Sequence, residues 1–436
     1  MATSEKQVMT GIERKGDSPV YKWPAHPRAK VDEFGIEPPL GDIQREFQQT
    51  LRKFAVEVMR PIGQKLDRMT AEEIIAEDSP FWEFRRKYLD LGIQLSDLAE
   101  MEPEERSQMF CILFEELGYG DGGMAISVAA GMLPQYLSMI FGNEFLMERF
   151  PQDMLGCWAI TEPDHGSDTL DPNGMIRHPG AEYGRPNTVA KFQGDKIVIN
   201  GQKSAWVSNG TIAECCILYC AADMGDGADY SNGCVLVIPL DLPGISRGKP
   251  LEKLGQRGDP QGELFFNDVE VSTDYLLAGP EDFQRAVYSI HAEANALMGA
   301  IWTGAARAAY HMAHAYAHER KQGGVPIYRH QLVAYKLFHM FRQVEASAAL
   351  TRRVVHYNQA ADLPALQAAM IAKVTATDMA FDVASDAIQI FGGNGVTHEY
   401  PVEKIMRDCR SSMIEDGAND VIALKGGYYL MDEDLL

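Results

Sequence analysis

The groups best suited to chemistry in this 436-residue chain gather where a short apolar strand ends. Trp158-Ala159-Ile160 runs straight into Thr161-Glu162-Pro163-Asp164-His165-Gly166-Ser167-Asp168, a cluster of hydroxyls, acids and glycine. That is the pattern of a buried strand delivering a polar binding loop. Four later stretches look like its complement. They are Asn200-Gly201-Gln202-Lys203-Ser204-Ala205-Trp206-Val207-Ser208-Asn209-Gly210, the segment from Arg320 to Gln331, the glycine-rich Gln389-Ile390-Phe391-Gly392-Gly393-Asn394-Gly395, and Ile414-Glu415-Asp416-Gly417. The adjacent carboxylates of the last are of the type that takes up a proton. Cys215, Cys216 and Cys220 suggest a metal, but no second ligand pair accompanies them. They lie in the apolar run from Glu214 to Ala221, so a buried strand is the better reading.

Positioning these groups takes three kinds of segment, and a chain of this length is expected to divide into about three domains. Residues 1–40 are polar and rich in Pro, Gly and charge, with Tyr21, Trp23 and Pro24 as the only anchors, and read as an irregular extension. From Gly41, Ile43, Phe47, Leu51, Phe54 and Val58 fall at helical spacing until Pro61 stops or kinks the pattern. Further helices are expected from Phe81 to Leu91, from Glu104 to Leu117 and from Met124 to about Gly142, with a turn at Gly118-Tyr119-Gly120-Asp121-Gly122-Gly123. Between Cys157 and Leu277 the pattern turns to strands, a hairpin about Gln193-Gly194-Asp195 among them. After Gly279 helices return, with Val333, Leu337, Phe341, Val344, Ala348 as one stripe and Met370, Val374, Phe381, Ala384, Ile388 as another. The expected fold is α+β: an N-terminal helical domain (41–156), a middle antiparallel β domain (157–277) and a C-terminal helical bundle (278–436). No Gly-x-Gly-x-x-Gly joins a strand to a helix, which disfavours a Rossmann nucleotide site.

A net charge of −22 argues against nucleic acid and anionic membrane surfaces as partners. An anionic cofactor then needs local Arg, Lys or helix N-termini to reverse the field. Seven scattered cysteines suit a reducing compartment. With no secretory pattern in residues 1–10 and no stretch near 18 uninterrupted apolar residues, the expected location is the cytoplasm.

In their order and spacing these motifs resemble the acyl-CoA dehydrogenase family of flavoproteins, from about Gly41 to about Tyr429. The Thr161-Glu162-Pro163 to Gly166-Ser167-Asp168 loop is the most specific match. The resemblance implies FAD as cofactor, with Trp158, Ile160, Thr161, Gly166, Ser167, Trp206, Val207 and Ser208 around the flavin. It also implies that Arg320 reaches the pyrophosphate across a subunit boundary, the planar guanidinium suiting a diphosphate. Gln322, Gln331, Gln389 and Gly393 are further dinucleotide contacts, and Ser167 and Gly417 are substrate contacts. A homotetramer is implied, with an acyl-CoA as substrate and an electron-transfer flavoprotein as acceptor.

By the same resemblance the catalytic acid falls on Asp416, where the family carries Glu. It would take the α-proton while the β-hydrogen leaves as hydride to the flavin, the Asp416 amide helping to polarise the thioester carbonyl. Aspartate is one methylene shorter, which moves the base by about 1.5 Å, enough to matter, and points to a substrate branched or cyclic near its α or β carbon. Glu415 and Glu293 are the alternative bases. Departures from the family are Ala423 and Asn295 at positions usually Arg, Ala418 for Thr, Gly323 for an aromatic, and Asp164-His165 for small residues. They leave room for a nitroalkane-oxidase-like relative, which also uses Asp, and for a flavin-free assembly partner. Ala423 fits the nitroalkane oxidases poorly, and the retained Thr161, Ser167, Trp206, Arg320 and Gln389 speak against a flavin-free role.

Overall fold

The computed structural model describes residues 12–15, 18–21, 40–170, 186–228 and 232–431. Trp23, Pro24 and part of the loop after Asp168 lie outside them. The first forty residues are one unit and residues 41–436 another. Within the first, β1 (Ile12–Lys15) and β2 (Ser18–Tyr21) pair antiparallel, so a segment expected to be irregular carries a short hairpin.

The second unit opens with α1 (Asp42–Phe54), α2 (Arg60–Leu66), α3 (Ala71–Ile75), α4 (Pro80–Leu89), α5 (Leu95–Glu100), α6 (Pro103–Gly120), α7 (Gly122–Ile140) and α8 (Glu144–Arg149). Pro61 does not stop the first helix. The backbone stays helical through a π-helical turn at Ala55–Met59, and the proline follows it in the first turn of α2. Leu51 and Phe54 are buried as expected, whereas Ile43 is exposed. α7 is long and apolar enough to cross a membrane, yet 67% of that window is buried within the fold, as a core helix requires.

Strands then follow: β3 (Gly156–Ala159), β4 (Thr188–Gln193), β5 (Lys196–Lys203), β6 (Cys215–Asp223), β7 (Gly233–Pro239), β8 (Ile245–Arg247), β9 (Leu264–Ser272) and β10 (Leu276–Ala278). They form an eight-stranded sheet. It is mixed rather than purely antiparallel, because β3 and β4 both run parallel to β6. β3 lines the Cys215–Leu218 half of β6 and β4 takes over opposite Ala221–Asp223. The chain leaves the sheet between those halves, and that exit is the Thr161–Asp168 loop. The cysteine-rich β6 is a buried strand, as its apolar run indicated, and no described cysteine forms a disulfide. Its side chains alternate by the pleat. Cys215, Ile217 and Tyr219 pack toward Leu133, Phe283 and Ile290 of the helices, while Cys216, Leu218 and Cys220 pack with Ile197, Ile199 and Phe266. Burial on both faces explains why β6 reads as a continuous apolar run.

The last part is α9 (Phe283–Glu319), the short hairpin of β11 (Lys321–Gln322) and β12 (Val325–Pro326), α10 (Gln331–Ala360), α11 (Leu366–Phe391), α12 (Val402–Ser412) and α13 (Asn419–Met431). Gly323 and Gly324 form the two-residue turn of that hairpin, both at positive φ (58° and 82°), which accounts for glycine at a position where a side chain would strain the backbone. α6 and α9 cross so closely that a Cβ on Gly304 would stand 1.9 Å from the Glu115 carbonyl oxygen, and one on Gly118 2.0 Å from that of Ile301. Glu115 also holds the buried Arg307 at 2.5 Å and accepts two hydrogen bonds of 2.8 Å from Arg352, tying α6, α9 and α10 together.

Candidate active site

The loop that leaves β3 is braced from within. Glu162 and His165 exchange backbone hydrogen bonds of 2.7 and 3.2 Å. The Glu162 carboxylate accepts from the buried Lys203 ammonium at 2.6 Å and from the Asn187 amide at 2.6 Å, while Lys203 also donates to the Ile160 carbonyl at 3.0 Å. Ser204 N–H donates to the Thr161 carbonyl at 3.0 Å. His165 turns inward, its Nδ1 2.7 Å from Asp168 Oδ2, and the other oxygen of Asp168 accepts from the Gly166 amide at 2.7 Å. The histidine therefore shapes the loop.

The second strand-borne segment leaves Trp206 60% exposed, Val207 buried and Ser208 between them. Ser208 donates to the buried Asp259 carboxylate at 2.9 Å. Desolvation pushes Asp259 up to about 6 against the pull of Lys253. Trp158 is half-buried, and its indole N–H has no hydrogen-bond partner among the described residues.

Asp416 follows α12 in a tight turn. Its φ of 50° is left-handed, a conformation aspartate tolerates better than most residues, and Gly417 continues the turn at 87°. Three contacts from distant parts of the chain hold the turn. Lys373 of α11, fully buried, donates to the Gly417 carbonyl at 2.8 Å and to Asn419 Oδ1 at 2.7 Å. Asn295 of α9 donates to the Asp416 carbonyl at 3.5 Å, and the Ala418 amide donates to Ser167 Oγ at 3.0 Å. Ser167 thus joins the flavin-side loop to the acid-bearing turn.

Between these pieces lies a cavity of about 250 Å³. Leu113, Phe114, Ala130 and Leu133 make its wall apolar, and Trp158, Ser208, Glu293 and Asp416 present chemistry to it. Desolvation pushes the Asp416 carboxyl up to about 6, against the attraction of Lys373 and with Asp259 adding to the rise. Burial raises Glu293 to about 7, its hydrogen bond with Tyr136 and the charge of Arg106 holding it back. Glu415 is pushed to about 8 by desolvation and by Asp416, but its carboxylate accepts from Gln256 at 2.8 Å and is not part of the cavity wall. An acid that is ionised near neutrality on an apolar cavity wall is suited to take a proton from carbon.

Models of the acyl-CoA dehydrogenase middle domain and C-terminal domain match residues 157–269 and 284–425. A probable acyl-CoA dehydrogenase of Bacillus subtilis is 31% identical over 323 residues, 72% of this chain and 79% of that protein. The chain belongs to the acyl-CoA dehydrogenase family. A cyclohex-1-ene-1-carbonyl-CoA dehydrogenase of Syntrophus aciditrophicus is 28% identical over 414 residues, 90% of this chain and 91% of that one. The structure of butyryl-CoA dehydrogenase from Megasphaera elsdenii superposes with a TM-score of 0.78 at 27% identity, covering 91% of this chain and all of the other.

As an acyl-CoA dehydrogenase, an oxidoreductase acting on CH–CH bonds, the chain keeps its candidate residues in two separate groups. Trp158, Ser208 and Asp416 share the cavity, with Ser167 and Gly417 bound into the turn beside it. Arg320, Gln322, Gln331, Gln389 and Gly393 are all exposed. Tyr316 stacks on Phe391 and accepts from Asn394 at 2.9 Å, which sets the 392–396 turn beside the end of α9 that carries Arg320. At 1.5 Å per residue, Arg320 stands about 37 Å along α9 from Asn295. Sequence reasoning did not find Lys373, Asp259, Tyr136, Arg106 or Asn358, which reach the site from other elements without a shared motif. A lysine inside an apolar helical stripe was the one available signal for Lys373.

Proposed function

We propose that this chain is an FAD-dependent acyl-CoA dehydrogenase whose Asp416 removes the α-proton of a branched or alicyclic acyl-CoA to give the enoyl-CoA. The observation that carries this is the Asp416 carboxyl on the wall of an apolar cavity, ionised above about pH 6. The unpartnered indole N–H of Trp158, the Ser208 hydroxyl and the exposed face of Trp206 suit a planar, hydrogen-bonding ring, so the residues present fit a flavin. When bound, FAD supplies the acceptor for the β-hydrogen as hydride. Asp416 takes and holds the α-proton, its backbone amide is the donor for the thioester carbonyl, and the apolar wall excludes water from the developing enolate. A substrate with bulk near its α carbon brings that proton to the shorter acid, and the relative named for cyclohex-1-ene-1-carbonyl-CoA supports that class.

The dinucleotide end of the site comes from a second copy, in a homotetramer, a reading supported by the distance of Arg320 from Asn295 within one chain. Electrons then pass to an electron-transfer flavoprotein, the working location is the cytoplasm, and 41–156, 157–277 and 278–436 act as domains. Anaerobic flavin reduction by straight, branched and alicyclic acyl-CoAs tests the reading. Asp416→Ala is expected to slow reduction by about 100- to 10,000-fold, with Glu415→Gln and Glu293→Gln far milder. Full reduction in Asp416→Ala moves the base to Glu293, and reduction by nitroalkanes alone overturns the acyl-CoA assignment.

A further inference from the structure

A cavity meant for plain hydrocarbon would be apolar throughout, because a buried polar group left without a partner is destabilising by about 1–3 kcal/mol. This one is not. Asn358, 8% exposed near the end of α10, lies on the cavity wall. Its Oδ1 accepts from the Ala365 amide at 2.9 Å, which fixes the orientation of the side-chain amide, and its Nδ2 has no hydrogen-bond partner among the described residues. Next to it, Arg106 donates to the Gln359 carbonyl at 2.9 Å and to Gln359 Oε1 at 3.2 Å. The charge of Arg106 acts in turn on Glu293 and on Tyr136, which are hydrogen-bonded to each other. Arg106, Tyr136, Glu293, Asn358 and Gln359 therefore make one polar corner of the cavity. The charged groups about Asp416 are Lys373, Asp259 and the adjacent Glu415, a different set.

We infer that this corner recognises a neutral oxygen, a hydroxyl or ketone, carried on the acyl group beyond its reacting carbons, with Asn358 Nδ2 as the donor. The inference rests on the acyl-CoA reading above and narrows it to oxygenated acyl groups. The oxygen is neutral because the free donor is an uncharged amide, and the one cation of the corner, Arg106, already faces the Glu293 carboxyl and the Gln359 segment. A plain hydrocarbon that covers this amide leaves it buried and unpaired, whereas such a substrate pairs it, so the site discriminates against the plain hydrocarbon.

Matched S-alkyl-CoA thioethers, which carry no thioester to react, isolate binding from catalysis. Each chain length is compared plain, hydroxylated and carboxylated by titration calorimetry on the FAD-loaded protein. The hydroxylated ligand is expected to bind about tenfold tighter than its plain partner at one or more chain lengths. In Asn358→Leu, close in size and without any polar atom, that ratio is expected to fall to near one. A wild-type ratio within twofold at every chain length overturns the inference, whether or not the variant folds. So does a ratio that survives in Asn358→Leu, or a preference for the carboxylated ligand over the hydroxylated one. Failure of every CoA thioether to bind overturns the acyl-CoA reading instead.

Discussion

Asp416 shows how much one residue's surroundings decide. The acid is shorter than the one the family carries, sits at a left-handed φ and is desolvated against an apolar wall. Lys373, Asp259 and the adjacent Glu415 are the charged groups about it. Since the reaction needs the ionised form, flavin reduction is expected to rise as pH increases through about 6 and then level off, measured by anaerobic stopped flow. A limb nearer 7 would point to Glu293. Lys373→Met removes the cation that favours ionised Asp416, so its limb should move to higher pH, while Lys373→Arg should keep it near the original position. Stability runs the other way. A carboxyl held above its ordinary 3.8 contributes most at low pH, and that contribution is lost as pH rises through about 6. Asp416→Asn should therefore melt higher than the wild type at neutral pH, and an unchanged melting temperature would count against the desolvated acid.

Among the elements, the crossing of α6 and α9 sets the frame on which the cavity is built. Both helices contribute to the wall, α6 through Phe110, Leu113 and Phe114 and α9 through Glu293 and Leu297. Their separation depends on two glycines, Gly304 and Gly118, the second of which reads in the sequence as part of a turn. Gly304→Ala places a methyl group against backbone that no rotamer change can move. It is expected to destabilise the fold by about 1–3 kcal/mol in denaturant titration, and the displaced helices should also weaken acyl-CoA binding. Gly392, by contrast, has open space where a Cβ would go and owes its glycine to a φ of 60° at the end of α11.

In the whole molecule, the exposed residues carry a message that a single chain cannot use. Leu332, Tyr335 and Phe338 are 79%, 63% and 62% exposed at helical spacing on α10, an apolar face left uncovered among the described residues. Arg320, Gln331 and Gln389 lie exposed on the same helical part. If a second copy covers that face and completes the dinucleotide site, assembly and cofactor retention must fail together. Phe338→Asp is expected to give a smaller species in light scattering and to lose flavin on gel filtration. Arg320→Ala should lose flavin while keeping the assembly. Retention of full flavin by a monomeric Phe338→Asp protein would separate the two and refute the shared site.

Local chemistry made much of this legible from the sequence alone. Helical and strand periods follow from which side chains must be buried, so the helix, sheet, helix order could be read directly, and the Thr161–Asp168 and Glu415–Gly417 motifs are contiguous, so they could be picked out as candidate site segments. Other features were set only when the chain folded. The parallel pairing of β3 and β4 with β6, the approach of Lys373 and Asp259 to Asp416 and the place of Asn358 on the cavity wall depend on contacts between residues far apart in the chain. Desolvation and charge act through space, and no local pattern records which distant group will come within a few ångströms of a carboxylate.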